Sequence, residues 1–164
     1  MRSRFLPEGR LLHTPENEAA CASRDGLRRA MEEGTVLEGV AQLCDGAHNL
    51  LVSVGPFTGF LPREEAALGI AEGTTREIAI LSRVGKPVCF QITALEESEG
   101  VLRPRLSRRR AQQAALDAML AGLHPGCILP AVVTHLESFG AFVDIGCGVP
   151  SLIGIESISV SRIP

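Results

Sequence analysis

Two phenylalanines, Phe139 and Phe142, are the residues of this sequence whose type and spacing best fit a binding role. Side chains of a β-strand alternate between its faces, so Phe142 and Asp144 would face solvent if their neighbours face a core. Strict alternation places Phe139 on the inner face, but a bulge at Gly140 would turn both rings outward. Two exposed rings on one sheet offer a surface on which nucleobases stack. The residues alone also allow both rings to be core residues of a small barrel.

Five arginines form the strongest cluster of positive charge in the chain: Arg103, Arg105, Arg108, Arg109 and Arg110. No acidic residue lies among them, although the whole chain carries 16 basic and 19 acidic residues and a net charge of −3. Such a cluster attracts anions and is suited to the phosphates of a nucleic acid. The alternative is that these side chains are solvated, because residues 108–110 also begin a helix, where cations oppose the helix dipole. Acidic residues at positions 96, 97 and 99 would neutralise part of the charge.

No pattern in the sequence indicates catalysis, a metal or a cofactor. The four histidines and five cysteines are scattered singly, without a CxxC pair, and the glycine-rich stretches lack a P-loop ending or a GxGxxG turn. We therefore expect a protein that is not an enzyme and whose cysteines are reduced thiols. No run of about 18 to 20 apolar residues and no signal-peptide core occurs, so we expect a cytoplasmic protein with no membrane partner.

The elements that would position these residues begin with one helix. Residues 1–22 carry two prolines and little periodicity, and they predict an extended arm. Residues 24–33 place their apolar side chains on one helical face, with Ser23 in the N-cap position and Gly34 just after the last turn. The first 33 residues are therefore predicted to be an arm with one short helix.

The next 74 residues, 34–107, consist of short β-type runs separated by Gly, Pro, Asp and Asn. Six runs are predicted as strands: residues 36–43, 50–54, 58–61, 76–81, 88–95 and 101–107. Many short strands in so small a segment indicate a closed barrel rather than a layered α/β fold.

A second helix is predicted over residues 108–122, ending at Gly122. One side of this helix is apolar, and it carries Leu116, Met119, Leu120 and Leu123. An amphipathic helix of this kind buries its apolar side, so we expect it to pack on a barrel and to connect two modules.

The chain then repeats itself. The segment that begins at Gly126 matches the one that begins at Gly34, and Phe142-Val-Asp-Ile-Gly146 matches Leu51-Val-Ser-Val-Gly55, at an offset of 91 to 92 residues. The second copy has only 39 residues, which is about half a barrel. Because an open half-barrel exposes strand edges, we expect the sequence to be cut short; the alternative is that a partner supplies the missing strands.

The second copy resembles the RNA-binding domain of ribosomal protein S-one, a five-stranded barrel of the OB type. The matching residues are Gly126, Val132, Val133, Ser138-Phe-Gly-Ala-Phe-Val143, Gly146, Gly148 and Leu152-Ile153. The first copy resembles a degenerate version of the same domain, through Gly34, Gly39, Gly55, Gly59-Phe-Leu-Pro62 and Leu106-Ser-Arg-Arg109.

In that family two aromatics, a histidine on the third strand and basic residues near the fifth strand form the RNA surface. The resemblance therefore implies that Phe139 and Phe142 stack bases. The histidine position falls on Gly154, and the basic fifth strand would lie beyond Pro164. In the first copy the same family positions fall on His48, Leu51 and Pro62. We expect that copy to be mainly a structural or protein-contact unit.

Together these observations predict an all-β protein of two tandem OB-fold five-stranded barrels, the second incomplete, joined by an amphipathic helix and preceded by a short N-terminal helix. The predicted divisions are residues 1–33, 34–107, 108–124 and 126–164. The predicted function is non-catalytic binding of single-stranded RNA, such as mRNA, in translation or RNA processing, with the small ribosomal subunit as a further partner. The alternatives are a protein-interaction or assembly module without RNA, and an accessory segment of a longer RNA-processing enzyme.

Overall fold

The computed structural model describes residues 5–158, which form eight strands in two sheets, with helices on the barrel. The strands are β1 (Leu37–Cys44), β2 (Leu50–Val54), β3 (Phe57–Leu61), β4 (Pro87–Ser98), β5 (Val101–Ser107), β6 (Val132–Glu137), β7 (Gly140–Asp144) and β8 (Pro150–Gly154). The helices are α1 (Pro15–Cys21), α2 (Arg24–Glu33), α3 (Ile78–Leu81) and α4 (Arg108–Gly122), and short 3-10 turns cover Arg63–Glu65 and Ile155–Ser157. No helix among residues 5–158 is long and apolar enough to cross a membrane.

Strands β1 to β5 form a closed barrel in the order β1-β2-β3-β5-β4. Strand β1 pairs antiparallel with both β2 and β4, and β3 runs parallel to β5. Alternation places Leu50, Val52 and Val54 inside the barrel, where they are fully buried. The closed barrel predicted for residues 34–107 is therefore present, with the strand arrangement of an OB fold.

One predicted strand of that segment is wrong. Residues 76–81 contain the short apolar run Ile-Ala-Ile-Leu, which is typical of a strand, yet they form the short helix α3 and its approach. Every strand of the barrel already has two neighbours, so no strand edge is left for this segment to pair with. It covers the barrel instead, burying Ile80 and leaving Ile78 and Leu81 exposed.

The prediction of an extended N-terminal arm is also wrong, because the arm contains α1. Thr14 caps this helix by accepting the N–H of Asn17 at 3.2 Å, and Pro15 occupies its first turn. The buried Asn17 side chain donates to the carbonyl of Glu38 at 3.1 Å and accepts the Glu38 N–H at 2.8 Å. These two bonds attach α1 to β1. Helix α2 has the predicted bounds, with Ser23 as its N-cap.

Helix α4 has the predicted bounds but buries a different side. Leu116 and Met119 pack against an apolar cluster as expected, whereas Leu120 is 74% exposed and Leu123 is also exposed. The buried side carries Arg108, Ala111, Gln112 and Ala115. Alanines let the helix axis come close to the barrel, so the contact runs through these small residues rather than through the larger leucines.

A buried ion pair joins the N-terminal segment to the start of α4. The side chain of Glu8 is only 3% exposed, and Arg108 binds it twice, through Nη2 to Oε1 at 2.6 Å and Nε to Oε2 at 2.9 Å. Glu8 also accepts the Cys89 N–H from β4 at 2.8 Å, and Arg83 lies 3.5 Å away. Burial opposes ionisation of Glu8, but the two arginines and the Cys89 N–H outweigh it and hold the pKa of Glu8 below its usual value of 4.5.

The second sheet is attached to the same segment through Asp144, which was predicted to face solvent. Asp144 is instead buried, and it accepts the N–H groups of Glu8 at 2.8 Å, Gly146 at 2.8 Å and Gly148 at 3.0 Å. The N–H of Cys147 donates to the carbonyl of Leu6 at 2.9 Å. The prediction failed because alternation along β7 takes no account of a segment that covers Asp144 from outside the sheet.

A second buried carboxylate, Glu38 on β1, holds the N-terminal segment to the barrel. It accepts the N–H of Gly9 at 2.5 Å and that of Leu11 at 2.8 Å. Burial raises the pKa of Glu38, although the two N–H groups counteract part of that effect. Residues 5–11 therefore lie between the barrel and the second sheet and are bonded to both.

Replacing Arg108 by Ala should strongly destabilise the fold, because it leaves the Glu8 carboxylate buried and uncompensated. Breaking one side of a buried ion pair costs about 3–5 kcal/mol. The measurement is urea unfolding followed by far-ultraviolet circular dichroism, since the chain has no Trp or Tyr to report on folding by fluorescence. Arg110→Ala, on the exposed side of α4, is the control and should change the free energy of unfolding by less than about 0.5 kcal/mol. A loss below about 1 kcal/mol for Arg108→Ala would contradict this account.

The contribution of Glu8 to the free energy of unfolding should depend on pH. Because the folded-state pKa of Glu8 lies below its unfolded value, ionised Glu8 stabilises the fold above about pH 4.5, and this stabilisation disappears as pH falls through the folded pKa. The difference in unfolding free energy between the parent chain and Glu8→Gln should therefore be largest near neutral pH and shrink in acid. The difference for Glu18→Gln, an exposed residue, should stay small throughout. A Glu8→Gln difference that is constant over the whole titration would show that Glu8 is not the titrating group.

Candidate nucleic-acid interface

The second sheet presents one face that carries aromatic side chains. Strand β7 lies between β6 and β8, and Phe142 on β7 is paired with His135 on β6 and Leu152 on β8. We call the face that carries these three side chains the outer face. Alternation gives the opposite, inner face to apolar residues such as Ala141 and Val143, which are buried.

Phe139 and Phe142 both lie outside the two apolar clusters of residues 5–158. Phe139 is 52% exposed, and Phe142 is half-buried. The exposure of Phe139 does not come from a bulge at Gly140, as predicted, because Gly140 pairs regularly with Glu137. Phe139 instead occupies the two-residue turn between β6 and β7, where alternation no longer applies.

The two rings are perpendicular rather than side by side. Their centroids are 6.1 Å apart and their planes meet at 87°. His135 provides the ring that is nearly parallel to Phe142, at 6.3 Å and 27°. The three rings therefore form what we call the aromatic corner, in which Phe142 and His135 are the platform and Phe139 is the wall.

His135 is the functional candidate that sequence reasoning missed. It was classed with the other histidines as an isolated polar residue. The signal lies in the register of the hairpin. A two-residue turn that pairs Glu137 with Gly140 also pairs His135, two residues before Glu137, with Phe142, two residues after Gly140. His135 thus brings a histidine to this face from the first strand of the sheet, although the family position on the third strand is Gly154.

The rim of the aromatic corner is acidic. Glu137 lies on the outer face beside the corner, and its Oε1 is within hydrogen-bond distance of His135 Nε2, at 2.6 Å. Glu156 places its carboxylate over Gly154, where a Cβ would collide with it. Between these two acids lies Gly140, which presents bare backbone because a Cβ there would collide with the Ile153 carbonyl. Residues 126–158 contain no Arg or Lys.

The five arginines do not form one patch. Arg108 is buried in the ion pair with Glu8, so it is unsuited to contact phosphate and we remove it from the predicted set. Arg109 is held by Glu65, with Nη2 at 3.1 Å from Oε1, and this hydrogen-bonded pairing lowers the pKa of Glu65 and raises that of Arg109. Sequence counting could not reveal this, because the acidic partners lie 100 and 44 residues away.

The remaining arginines are more accessible. On β5, the guanidinium of Arg105 lies 5.4 Å from the ring centroid of Phe60 and 3.7 Å from the Glu96 carboxylate. Arg103 and Arg110 are exposed, and neither forms an ion pair with another residue in the range 5–158. These two side chains are the ones best placed to contact an added anion.

The first barrel lacks an equivalent aromatic corner. His48 contacts the Glu77 carboxylate, and Pro62 precedes a 3-10 turn. Leu51 is paired with Phe60, which places one aromatic ring on the outside of the barrel under Arg105. Of the three family positions in this barrel, none therefore carries an aromatic ring that is free to stack.

Comparison with known proteins relates the chain to one ribosomal protein. No family model matches it. It is 27% identical over 143 residues to small ribosomal subunit protein bS1 of Neisseria meningitidis, covering 84% of this chain and 23% of that protein. It is 30% identical over 131 residues to bS1 of Leuconostoc lactis (79% and 29% covered) and 26% identical over 149 residues to bS1 of Staphylococcus aureus (90% and 36% covered). The chain thus spans about a quarter to a third of the length of these relatives.

Among solved structures, the solution structure of GSP13 from Bacillus subtilis is similar at 20% identity and a TM-score of 0.35, over 59% of this chain and 64% of that one. The sequence similarity to bS1 runs through most of the chain, and it agrees with the motif matches in residues 34–107 and 126–158. The chain therefore belongs to the S-one-type RNA-binding domain family of the OB fold, the family of ribosomal protein bS1.

Proposed function

We propose that this chain binds single-stranded RNA without catalysing a reaction, and that a base stacks in the aromatic corner. The observation that carries the proposal is that three rings meet on the outer face of the second sheet, opposite the buried Ala141 and Val143. Large apolar rings that a fold leaves in contact with solvent are costly unless a ligand covers them. A nucleobase is a flat ligand that matches this shape.

The geometry of the corner limits it to one base at a time. A base that stacks on Phe142 lies nearly parallel to the His135 ring as well, while the perpendicular Phe139 ring borders its edge. Stacking contributes about 1–3 kcal/mol per base. After the cost of association this is weak binding, so useful affinity requires several contacts along one strand.

Phosphate contacts come from the first barrel. With Arg108 buried, we propose Arg103 and Arg110 as the main phosphate ligands, with Arg105 and Arg109 in support after partial exchange of their acidic partners. The second sheet cannot contribute such contacts, since residues 126–158 lack Arg and Lys. A bound strand would therefore place a base on the second sheet and its backbone along the barrel.

We also propose that the three-stranded sheet is the first part of a second OB barrel. Its strands pair in the order β6-β7-β8, as β1-β2-β3 do in the first barrel, and the internal repeat relates the two sets. The divisions at residues 34–107, 108–124 and 126–164 follow from that repeat. The relatives are ribosomal proteins, so we propose translation as the setting, with mRNA and the small ribosomal subunit as partners.

A protein-interaction role without RNA is the second candidate. It is favoured by the inner face of the second sheet, where Leu136 is 70% exposed and Val133 and Ile153 are also exposed. Apolar residues grouped in this way are typical of protein contacts. RNA titration separates the two candidates, because a protein-interaction module has no reason to bind RNA even at low salt.

Replacing Phe142 by Ala should weaken RNA binding without unfolding the sheet. Loss of one stacking ring, about 1–3 kcal/mol, corresponds to a fivefold or greater rise in Kd. The measurement is fluorescence anisotropy with a labelled 12-nucleotide RNA at low salt, with circular dichroism to verify the fold. Leu136→Ala, on the inner face of the same sheet, should bind like the parent chain. Equal binding by the parent chain and Phe142→Ala would exclude stacking at this ring.

The salt dependence of binding should report on the two exposed arginines. Each phosphate contact on a single strand contributes about −0.7 to the slope of log K against log salt. The double variant Arg103→Ala with Arg110→Ala should therefore have a slope smaller in magnitude by about 1.4. The double variant Arg28→Ala with Arg29→Ala, at two exposed arginines of α2, removes the same charge and should leave the slope unchanged. A double variant whose slope equals that of the parent chain would mean that neither arginine contacts phosphate.

A further inference from the structure

We infer that the aromatic corner selects guanine and that Glu137 is the residue that recognises it. The inference rests on the proposed RNA binding and adds the chemical identity of the base. It starts from an unusual combination: the rings that would stack a base are bordered by carboxylates instead of by the basic side chains that nucleic-acid surfaces usually carry.

Glu137 is placed to reach the edge of a base that lies on the platform. It is two residues from His135 on β6, and the residue paired with it across the sheet is Gly140. Gly140 has no side chain, so the residue paired with Glu137 on β7 does not cover the Glu137 carboxylate with a side chain of its own. The Glu137 side chain is also accessible, at 42% exposed, so a ligand can approach it.

His135 fixes the orientation of that carboxylate. An ionised carboxylate only accepts hydrogen bonds, so the 2.6 Å contact requires His135 to carry its proton on Nε2 and to donate it to Oε1. This bond uses one lone pair of Oε1 and leaves Oε2 without a partner among residues 5–158. His135 is therefore a positioning residue for Glu137 as well as part of the stacking platform.

Guanine is the base whose edge matches a carboxylate. Its Watson–Crick edge presents N1–H and the N2 amino group side by side, and each can donate to one carboxylate oxygen. Adenine, cytosine and uracil place an acceptor next to their donor, so one oxygen of Glu137 would face another acceptor. A base stacked in the corner would shield the Glu137 carboxylate from water, and an oxygen that then faced another acceptor would have lost its water partner without replacement. The wrong base is therefore penalised, which makes this contact a means of discrimination.

The surroundings of the corner favour the same choice. Residues 126–158 contain no Arg or Lys that could neutralise Glu137 or donate to the acceptor-rich edge of uracil. Glu156, on the opposite side of Gly140, adds a second set of acceptors. A ligand in this corner must therefore present hydrogen-bond donors, and the base is the only part of an RNA strand that offers two in a row.

The test uses the full chain and four labelled heptamers: UUUGUUU, UUUUUUU, UUUAUUU and a heptamer with inosine at the centre. Inosine keeps N1–H and lacks the N2 amino group, so it removes one of the two donors. For the parent chain we expect the guanine heptamer to bind about tenfold more tightly than the uracil and adenine heptamers, with inosine in between. Kd values are measured by fluorescence anisotropy at one fixed, low salt concentration.

Two variants with the same change in charge show which carboxylate is responsible for the selectivity. Glu137→Gln should bring the ratio of guanine to uracil affinity close to one, because an amide offers only one acceptor. Glu156→Gln should keep the ratio, and because each variant removes one negative charge, both should bind the uracil and adenine heptamers somewhat more tightly than the parent chain does. A ratio that falls for Glu156→Gln and persists for Glu137→Gln would overturn the assignment to Glu137.

The outcomes also separate this inference from the proposed function. If the parent chain binds all four heptamers equally, RNA binding stands and guanine selection is wrong. If it binds none of them at low salt, the proposed function itself fails. If guanine is preferred but inosine binds as well as guanine, the N2 amino group is not recognised and the two-donor contact with Glu137 is excluded.

Discussion

The buried ion pair between Glu8 and Arg108 is the contact on which the arrangement of the molecule depends. It joins a segment near the N-terminus to the start of α4, and the Cys89 N–H adds the barrel to the same carboxylate. Two charges taken out of water are stable only when each fully compensates the other. The pair therefore ties three parts of the chain together, since displacing any one of them would leave a charge buried without its partner.

The same residues also position the second sheet, because the backbone N–H of Glu8 donates to a side chain of that sheet. Asp144 at the end of β7 accepts the Glu8 N–H, and Gly148 in the following loop packs directly on the two charged side chains. A Cβ at Gly148 would collide with both of them, and its φ of +75° is one that glycine adopts readily. The N-terminal segment covers the outer face at Asp144 and leaves it open at Phe142, two residues earlier. The aromatic corner begins where this cover ends.

Most of the barrel could be predicted from the sequence, because alternation of polarity directly reports which side chains are inside. The prediction failed at residues 76–81, where a short apolar run suited a strand but no strand edge remained for it to pair with. It also failed at Asp144, whose burial comes from a segment 136 residues away. The local sequence pattern therefore predicted most strands and helices, but it could not predict which distant segments cover them.

In the candidate site, too, some residues could be identified from local sequence and others only from the fold. Phe139 and Phe142 could be identified from their spacing, whereas His135 required the register of the hairpin. Arg108 was grouped with its neighbours by charge, but helix geometry turns it inward while Arg110 points outward. The charge of a residue is visible in a sequence, and its partner is not. Charge counts alone therefore overestimated the phosphate-binding surface.

This separation of charges links stability to the proposed function. In the proposed complex, phosphate contacts lie on the barrel and the base contact lies on an acidic sheet, so a bound strand would contact two parts of the molecule at once. If these parts moved independently, binding would have to restrict that motion at a cost in entropy. The contacts of Glu8 with Arg108 and Asp144 restrict it before RNA arrives. In the proposed complex, a residue far from the bound base would thus contribute to affinity, because it holds the arginines and the aromatic corner at a fixed separation.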